Sequence, residues 1–153
     1  MAIRVIAVGT ASRDPLVAAA DAYLERVRRH VPIAVIEVAA GRRSAKADAR
    51  KVRAVEAAAI LRRAAGAQLV ALDATGRSLA SEAFAKKLEG WLNRGELAFA
   101  IGGATGLHPE VLAAASFVLG LGPLTLSHRL ARLVLCEQLY RACAILHGEP
   151  YHK

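Results

Sequence analysis

The sequence predicts an α/β fold, a mostly parallel sheet flanked by helices. Short runs of β-branched and other apolar residues alternate with stretches of helical period along the whole chain, and such alternation calls for parallel pairing through helical crossovers. The strand-like runs are apolar nearly throughout, which suits a sheet covered on both faces. There is no internal repeat, low-complexity segment or linker, so the 153 residues read as one domain over 1–153, long enough for a substantial core.

The elements follow in order. "AIRVIAVGT" (Ala2 to Thr10) is a strand ending at a glycine. Asp14 is a good N-cap and Pro15 suits the first helical position; Leu16, Ala20, Tyr23, Leu24 and Val27 then recur at helical spacing. Pro32 to Ala40 is a second strand, and "GRRSAKADARK" a polar, basic connection. Ala47 to Ala65 is an alanine-rich helix closed by Gly66. Gln68 to Asp73 is a third strand, with "ATGR" as a turn. Ser81 is the expected cap of a helix reaching Asn93, with Gly95 beyond its end. Leu97 to Ile101 is a fourth strand, and a short helix starts at Pro109. "FVLGLGPLTL" (Phe117 to Leu126) begins as a fifth strand and becomes a loop; His128 to His147 is a long helix, followed by "GEPYHK".

Composition narrows the classes. Apolar residues make up 55% of the chain but aromatic ones only 5%, and alanine carries much of the difference. The start of the chain has Arg4 and no long apolar core, unlike a signal peptide. The longest uncharged run, Val111 to His128, is broken by Gly120, Gly122 and Pro123, so a membrane span is not expected and a cytoplasmic protein is. Cys136 and Cys143 lie seven residues apart in one helical pattern, about 10 Å along its axis, too far for a bridge. They read as free core thiols, and metal-ligand spacing is absent. The net charge of +8 is uneven: residues 1–66 hold 13 Lys and Arg against 6 Asp and Glu, residues 67–153 hold 8 against 7. A basic half beside a near-neutral half suggests a face for a polyanion.

In a parallel sheet, ligands bind beyond the carboxyl ends of the strands. Three such ends are poor in bulk: "LDATG" (Leu72 to Gly76), "IGGATG" (Ile101 to Gly106) and "LGLGPLTLS" (Leu119 to Ser127). Glycine lets a ligand approach the main chain, whose N–H and C=O groups can read a flat heterocycle. Neither G-x-G-x-x-G nor G-x-x-x-x-G-K-[ST] is present, so an uncharged or cationic ligand fits better than a triphosphate. A second set gathers near the C-terminus: His128, Arg129, Arg132, Glu137, Tyr140, Arg141, Tyr151 and His152. Arg132 falls one turn after His128 on the same helical face.

The order "AVGT", "LDATG", "IGGATGLH", "LGPLTLSHRLARLVLCEQLYRA" and "PYHK" resembles the SPOUT-class methyltransferases that modify a pseudouridine of 23S ribosomal RNA, over essentially the whole chain. The resemblance implies an S-adenosylmethionine-dependent enzyme that methylates N3 of a pseudouridine on the assembled ribosome. It also implies a homodimer, no metal, and a C-terminal trefoil knot holding the cofactor between three loops. Carried over by position, the cofactor residues are Leu72, Gly102, Gly103, Leu121, Gly122, Pro123, Leu124, Thr125 and Leu126. A side chain at Gly102 or Gly103 is then expected to occupy the ligand's volume. Relatives commonly carry Pro where this chain has Ser127, which can cap the last helix instead.

The sulfonium already activates the methyl group, so the protein must align the reactants and remove the N3 proton. His128 and His152 are candidate bases, Tyr151 a group that orients or stacks on the nucleobase, and Arg132 with Arg129 a partner for phosphate or for a developing oxyanion. Arg26, Arg28, Arg29, Arg42, Arg43, Lys46, Arg50, Lys51 and Arg53 are candidate phosphate contacts. The competing readings are a nucleotide-phosphate enzyme, disfavoured by the missing phosphate loops, a non-catalytic ribosome-binding factor, and a SPOUT enzyme acting on transfer RNA. The latter class often carries an added RNA-binding domain, for which this chain has no room.

Overall fold

The computed structural model describes residues 2–9, 13–41 and 48–153. The expected element ends at Thr10 and Ala47, and the cations Arg42, Arg43 and Lys46, lie outside the described residues. Five strands, β1 (Ile3–Val8), β2 (Ile33–Val38), β3 (Gln68–Ser78), β4 (Leu97–Ile101) and β5 (Phe117–Gly120), form one sheet in the order β2-β1-β4-β3-β5. Every neighbouring pair is parallel. Five helices join and cover them: α1 (Pro15–Val27), α2 (Ala49–Ala64), α3 (Ser81–Leu92), α4 (Pro109–Ala114) and α5 (His128–Leu146).

Strand alternation sorts side chains into two cores. Ile3, Val5, Leu97, Phe99 and Val70 point toward α1, α3 and α5, where they meet Leu24, Leu88, Trp91, Leu135 and Leu139. Phe84 and Trp91 stand edge-on or tilted against Phe99 at 6.4 and 6.2 Å between ring centres, so few aromatics fill the widest space. On the other face Ile6, Val8, Leu69, Ala71, Ala98 and Ala100 meet Ala57, Ile60 and Val111 of α2 and α4. Phe99 is fully buried in the middle of the sheet.

The caps follow the sequence at most ends. Asp14 accepts from Leu16 N–H at 2.8 Å, and Asp48 does the same for Arg50 N–H at 3.0 Å. Gly66 and Gly95 adopt φ of +79° and +132°, left-handed backbone that ends α2 and α3. Ser127 caps α5 through Leu130 N–H at 3.4 Å, so the cap expected in place of proline is present, though long.

Two expectations are corrected. Ser81 is the first helical residue of α3, not its cap: Ala80 holds that position, and the Ser81 hydroxyl donates to Gln138 of α5 at 2.7 Å. Nor does the third strand end at Asp73. Residues 73–76 bulge out, and the chain re-enters the sheet, with Leu119 of β5 facing both Leu72 and Arg77. Gly76 and Gly120 make this possible. A Cβ on Gly76 would lie 2.6 Å from the Gly120 nitrogen, and one on Gly120 would lie 2.6 Å from the Gly76 carbonyl oxygen. The "ATG" glycine serves a close approach of two paired strands rather than a reversal.

Candidate active site

The sheet order brings the carboxyl ends of β4, β3 and β5 side by side, with the start of α5 beside them. There the main chain of 101–106, the end of β3 and the 119–128 segment enclose a cavity of about 540 Å³. Of the nine residues expected to hold a cofactor, Leu72, Gly102, Gly103, Leu121, Gly122, Leu124, Thr125 and Leu126 line it; Pro123 does not. Leu72 is buried at its base, and Leu124, 77% exposed, stands at its rim. Among the described residues, the only titratable ones on its wall are Asp73 and His128, and no lysine or arginine faces it. The volume falls in the range of small-molecule sites, and the lining offers apolar surface, main-chain groups and one carboxylate. That set fits an adenosine bearing a cationic sulfonium side chain and disfavours a polyphosphate. Asp73 is a lining residue that spacing alone did not single out. Its signal was an acid at the end of an apolar strand, and it also accepts from Thr75 N–H at 3.0 Å.

The glycines of the central loop have a different role from the expected one. A Cβ on Gly102 would sit 2.6 Å from the Gly106 carbonyl carbon and 3.0 Å from Leu107 N, inside the loop's own backbone. A Cβ on Gly103 would point at Val8 Cγ1, 3.0 Å away, and at both oxygens of Glu56, at 3.4 and 3.5 Å. Neither would project into the cavity. These residues are glycine because the loop folds tightly on itself and on α2; the bare main chain facing the cavity is a consequence.

His128 opens α5 and lines both this cavity and a narrow cleft beside Gly9, Gly102, Arg129 and Arg132. One turn on, Arg132 is 5% exposed. Its guanidinium pairs with Glu37 of β2 at 3.1 Å and lies 3.8 Å from Asp21 of α1. It therefore faces carboxylates of its own chain. Arg129 donates to Asp14 at 2.7 Å. The Leu16 N–H, and after it Arg129, holds the Asp14 carboxyl below its ordinary value.

Tyr151 and His152 are docked, not frayed. Tyr151 donates to Glu137 Oε1 at 3.0 Å and stands edge-on to Tyr140, with the Arg141 guanidinium over its ring at 4.7 Å. Burial first, then hydrogen bonding to Tyr23 and Glu137, pushes its phenol up to about 12. His152 bridges Arg141 Nη1 at 3.0 Å and Glu82 Oε1 at 2.7 Å. Glu137 is nine residues beyond His128 on α5, roughly 14 Å along the helix axis. Within one chain, then, the four expected catalytic residues form two groups, His128 with Arg132 and Tyr151 with His152, and these do not meet.

The basic half of the sequence is likewise divided. Arg26, Arg28 and Arg29 lie on or just after α1, while Arg50, Lys51 and Arg53 belong to α2 on the opposite face of the sheet. Arg26 stacks at 5.4 Å on both Tyr23 and Tyr140, and Arg28 pairs with Glu25. Among the described residues no group of three or more His, Cys, Asp or Glu is arranged to hold a metal ion, and no helix is long and apolar enough to cross a membrane.

Comparison with known proteins agrees with this geometry. Residues 1–152 match the family described as Predicted SPOUT methyltransferase. A protein of Sorangium cellulosum named ribosomal RNA large subunit methyltransferase H is 48% identical over 99% of both chains. A protein of the same name from Anaeromyxobacter dehalogenans is 45% identical over the full length of both. Among solved structures, a probable methylase family protein from Haemophilus influenzae superposes with a TM-score of 0.57 at 16% identity, covering 99% of this chain and 70% of that one, a likeness of fold.

Proposed function

The chain belongs to the SPOUT methyltransferase family, and from that premise we propose that it transfers a methyl group from S-adenosylmethionine to N3 of a pseudouridine in 23S ribosomal RNA. We propose further that it acts on the assembled ribosome in the cytoplasm, as a homodimer whose single SPOUT domain spans 1–153. The observation that carries the reading is the cavity at three adjacent strand ends, walled by leucines and main chain and, among the described residues, free of phosphate-binding cations. The names of full-length relatives support ribosomal RNA as the acceptor. A knotted C-terminal half, which the family resemblance implies, is part of the proposal.

The bound cofactor supplies an electrophilic methyl group. Leu72, Leu121 and Leu126 would hold its adenine end, and the main chain of 102–104 would meet the base. Of the two candidate histidines, His128 lines the cavity, so we assign it as the base that would take the N3 proton of the acceptor. Arg129 and Arg132 stand beside it, Arg129 paired with Asp14 and Arg132 held in place by Glu37. Tyr151 and His152 belong to the site of a second copy. Half-buried Leu130, Leu133 and Val134 on α5 provide the apolar stripe for that copy. Exposed Arg50 and Lys51 on α2 contact RNA phosphate.

The test is transfer of labelled methyl from S-adenosylmethionine to whole ribosomes, free subunits and naked RNA, with mapping of the modified nucleotide. Label at one pseudouridine N3 of 23S RNA in ribosomes is expected. Donor binding without transfer to any ribosomal RNA would refute the assignment.

A further inference from the structure

Against the cavity's central loop lies a polar cluster that the proposed chemistry does not use. The buried stripe of α2 runs Val52, Glu56, Ile60, Ala64, and Glu56 alone breaks its apolar character, at 4% exposed. A carboxylate so enclosed is costly unless it is bonded. One oxygen, Oε1, accepts from Gly41 N–H at 2.9 Å, at the close of the β2 segment. Both oxygens lie where Gly103 has no side chain, 3.4 and 3.5 Å from the place a Cβ would take. One turn earlier, Arg53 Nη1 donates to the Thr105 carbonyl at 3.3 Å. Glu56 Oε2, Arg53 Nε and Thr105 Oγ1 are buried without a hydrogen-bond partner among the described residues. Neither Arg53 nor Glu56 lines the cavity; both meet loop 102–106 from α2 while its other side faces the ligand space.

We infer that Glu56 and Arg53 are positioning residues for the methyl donor: they hold loop 102–106 from behind, so that its main chain presents a fixed surface to the cofactor. A leucine at 56 would continue the apolar stripe, so packing alone does not account for a glutamate there. What the glutamate adds is a hydrogen bond from Gly41 N–H and a carboxylate that fills the space Gly103 leaves by having no side chain; both glycines stand at strand ends. Arg53 adds a bond to the loop's far side. The inference rests on the reading that this cavity takes S-adenosylmethionine.

The experiment measures S-adenosylmethionine affinity by calorimetry, and KM for donor and for ribosomes separately, in Glu56→Leu, Glu56→Gln and Arg53→Met. Glu56→Leu is expected to weaken donor binding about tenfold, the scale of one lost hydrogen bond to a charged group. Glu56→Gln, whose amide oxygen still accepts from Gly41, is expected to recover to within about threefold. In both, the donor KM moves and the ribosome KM does not. A folded Glu56→Leu protein with wild-type donor affinity overturns the inference. Should that variant fail to fold, Arg53→Met decides, because Arg53 is only partly buried and stands outside the apolar core. A raised donor KM with an unchanged ribosome KM supports positioning, whereas a raised ribosome KM alone makes Arg53 a phosphate contact and overturns it. Wild-type protein with no donor affinity sinks the cavity reading and this inference together. Wild-type binding with unaltered variants sinks only the latter.

Discussion

Gly102→Ala places one methyl group where the structure leaves no room. The new Cβ would lie 2.6 Å from the Gly106 carbonyl carbon, 2.9 Å from its oxygen and 3.0 Å from Leu107 N. All three are backbone atoms of a closed loop, so no side chain can swing aside. Overpacking of this kind costs about 3 kcal/mol at the upper end of the usual range. For a chain of this size that lowers Tm by roughly 6–12 °C. The loop must also open, which removes the main-chain wall of the cavity. Gly103→Ala is the internal control: its Cβ meets a Val8 methyl at 3.0 Å, which can give, and about 1 kcal/mol is expected. The assay is thermal unfolding with and without S-adenosylmethionine. At a hundredfold excess over Kd the donor stabilises the wild type by about 2.7 kcal/mol, a rise of roughly 5–11 °C. That rise should vanish in Gly102→Ala and persist, reduced, in Gly103→Ala. A Gly102→Ala protein with wild-type Tm and a wild-type donor shift would refute the reasoning.

Removing residues 150–153 should cut methyl transfer on ribosomes by about a hundredfold or more while donor affinity stays within about twofold; equal losses in both would take the tail out of the catalytic step. The Asp14 carboxyl is depressed below its ordinary 3.8 in the folded chain. Its stabilising effect is therefore complete above that value and fades as pH falls through it toward the folded pKa. Asp14→Asn should flatten the acid limb of the stability profile, and an unchanged limb would contradict this. Burial pushes the thiols of Cys136 and Cys143 up to about 12 and about 11. A thiol reagent at pH 8 should leave both unmodified in the native protein and react with both after unfolding. Ribosome binding should weaken steeply with salt, the log of the affinity falling linearly with log salt; a flat response would exclude the phosphate contacts.

Much of the fold was legible because local and global preferences agree. "LAFAI" is β-prone, apolar on both faces and bounded by Gly95 and Gly102, and it forms the fully buried β4. The Asp14–Pro15 pair starts α1 where capping chemistry places it. The strand-end loops could be found because bulk is missing from them at equivalent points of successive units. What stayed hidden depends on partners distant in sequence. Gly76 looks like a turn residue until Gly120 is seen against it. Ser81 looks like a cap, but its hydroxyl is committed to Gln138, 57 residues away. The glycines of the central loop looked like space reserved for a ligand, and the space is filled by Gly106, Val8 and Glu56. Arg132 reads as a free cation in a helix; Glu37 and Asp21, which neutralise it, arrive from β2 and α1. Charge counted along the chain suggested one basic face, and the sheet passes between its two halves.

The most direct measurement is a crystal structure of the protein with S-adenosylhomocysteine bound. The account predicts the adenine between Leu72, Leu121 and Leu126, against the main chain of Gly102 and Gly103, with the sulfur turned toward His128. Ligand bound anywhere else, or the same cavity closed while ligand occupies another site, would contradict it.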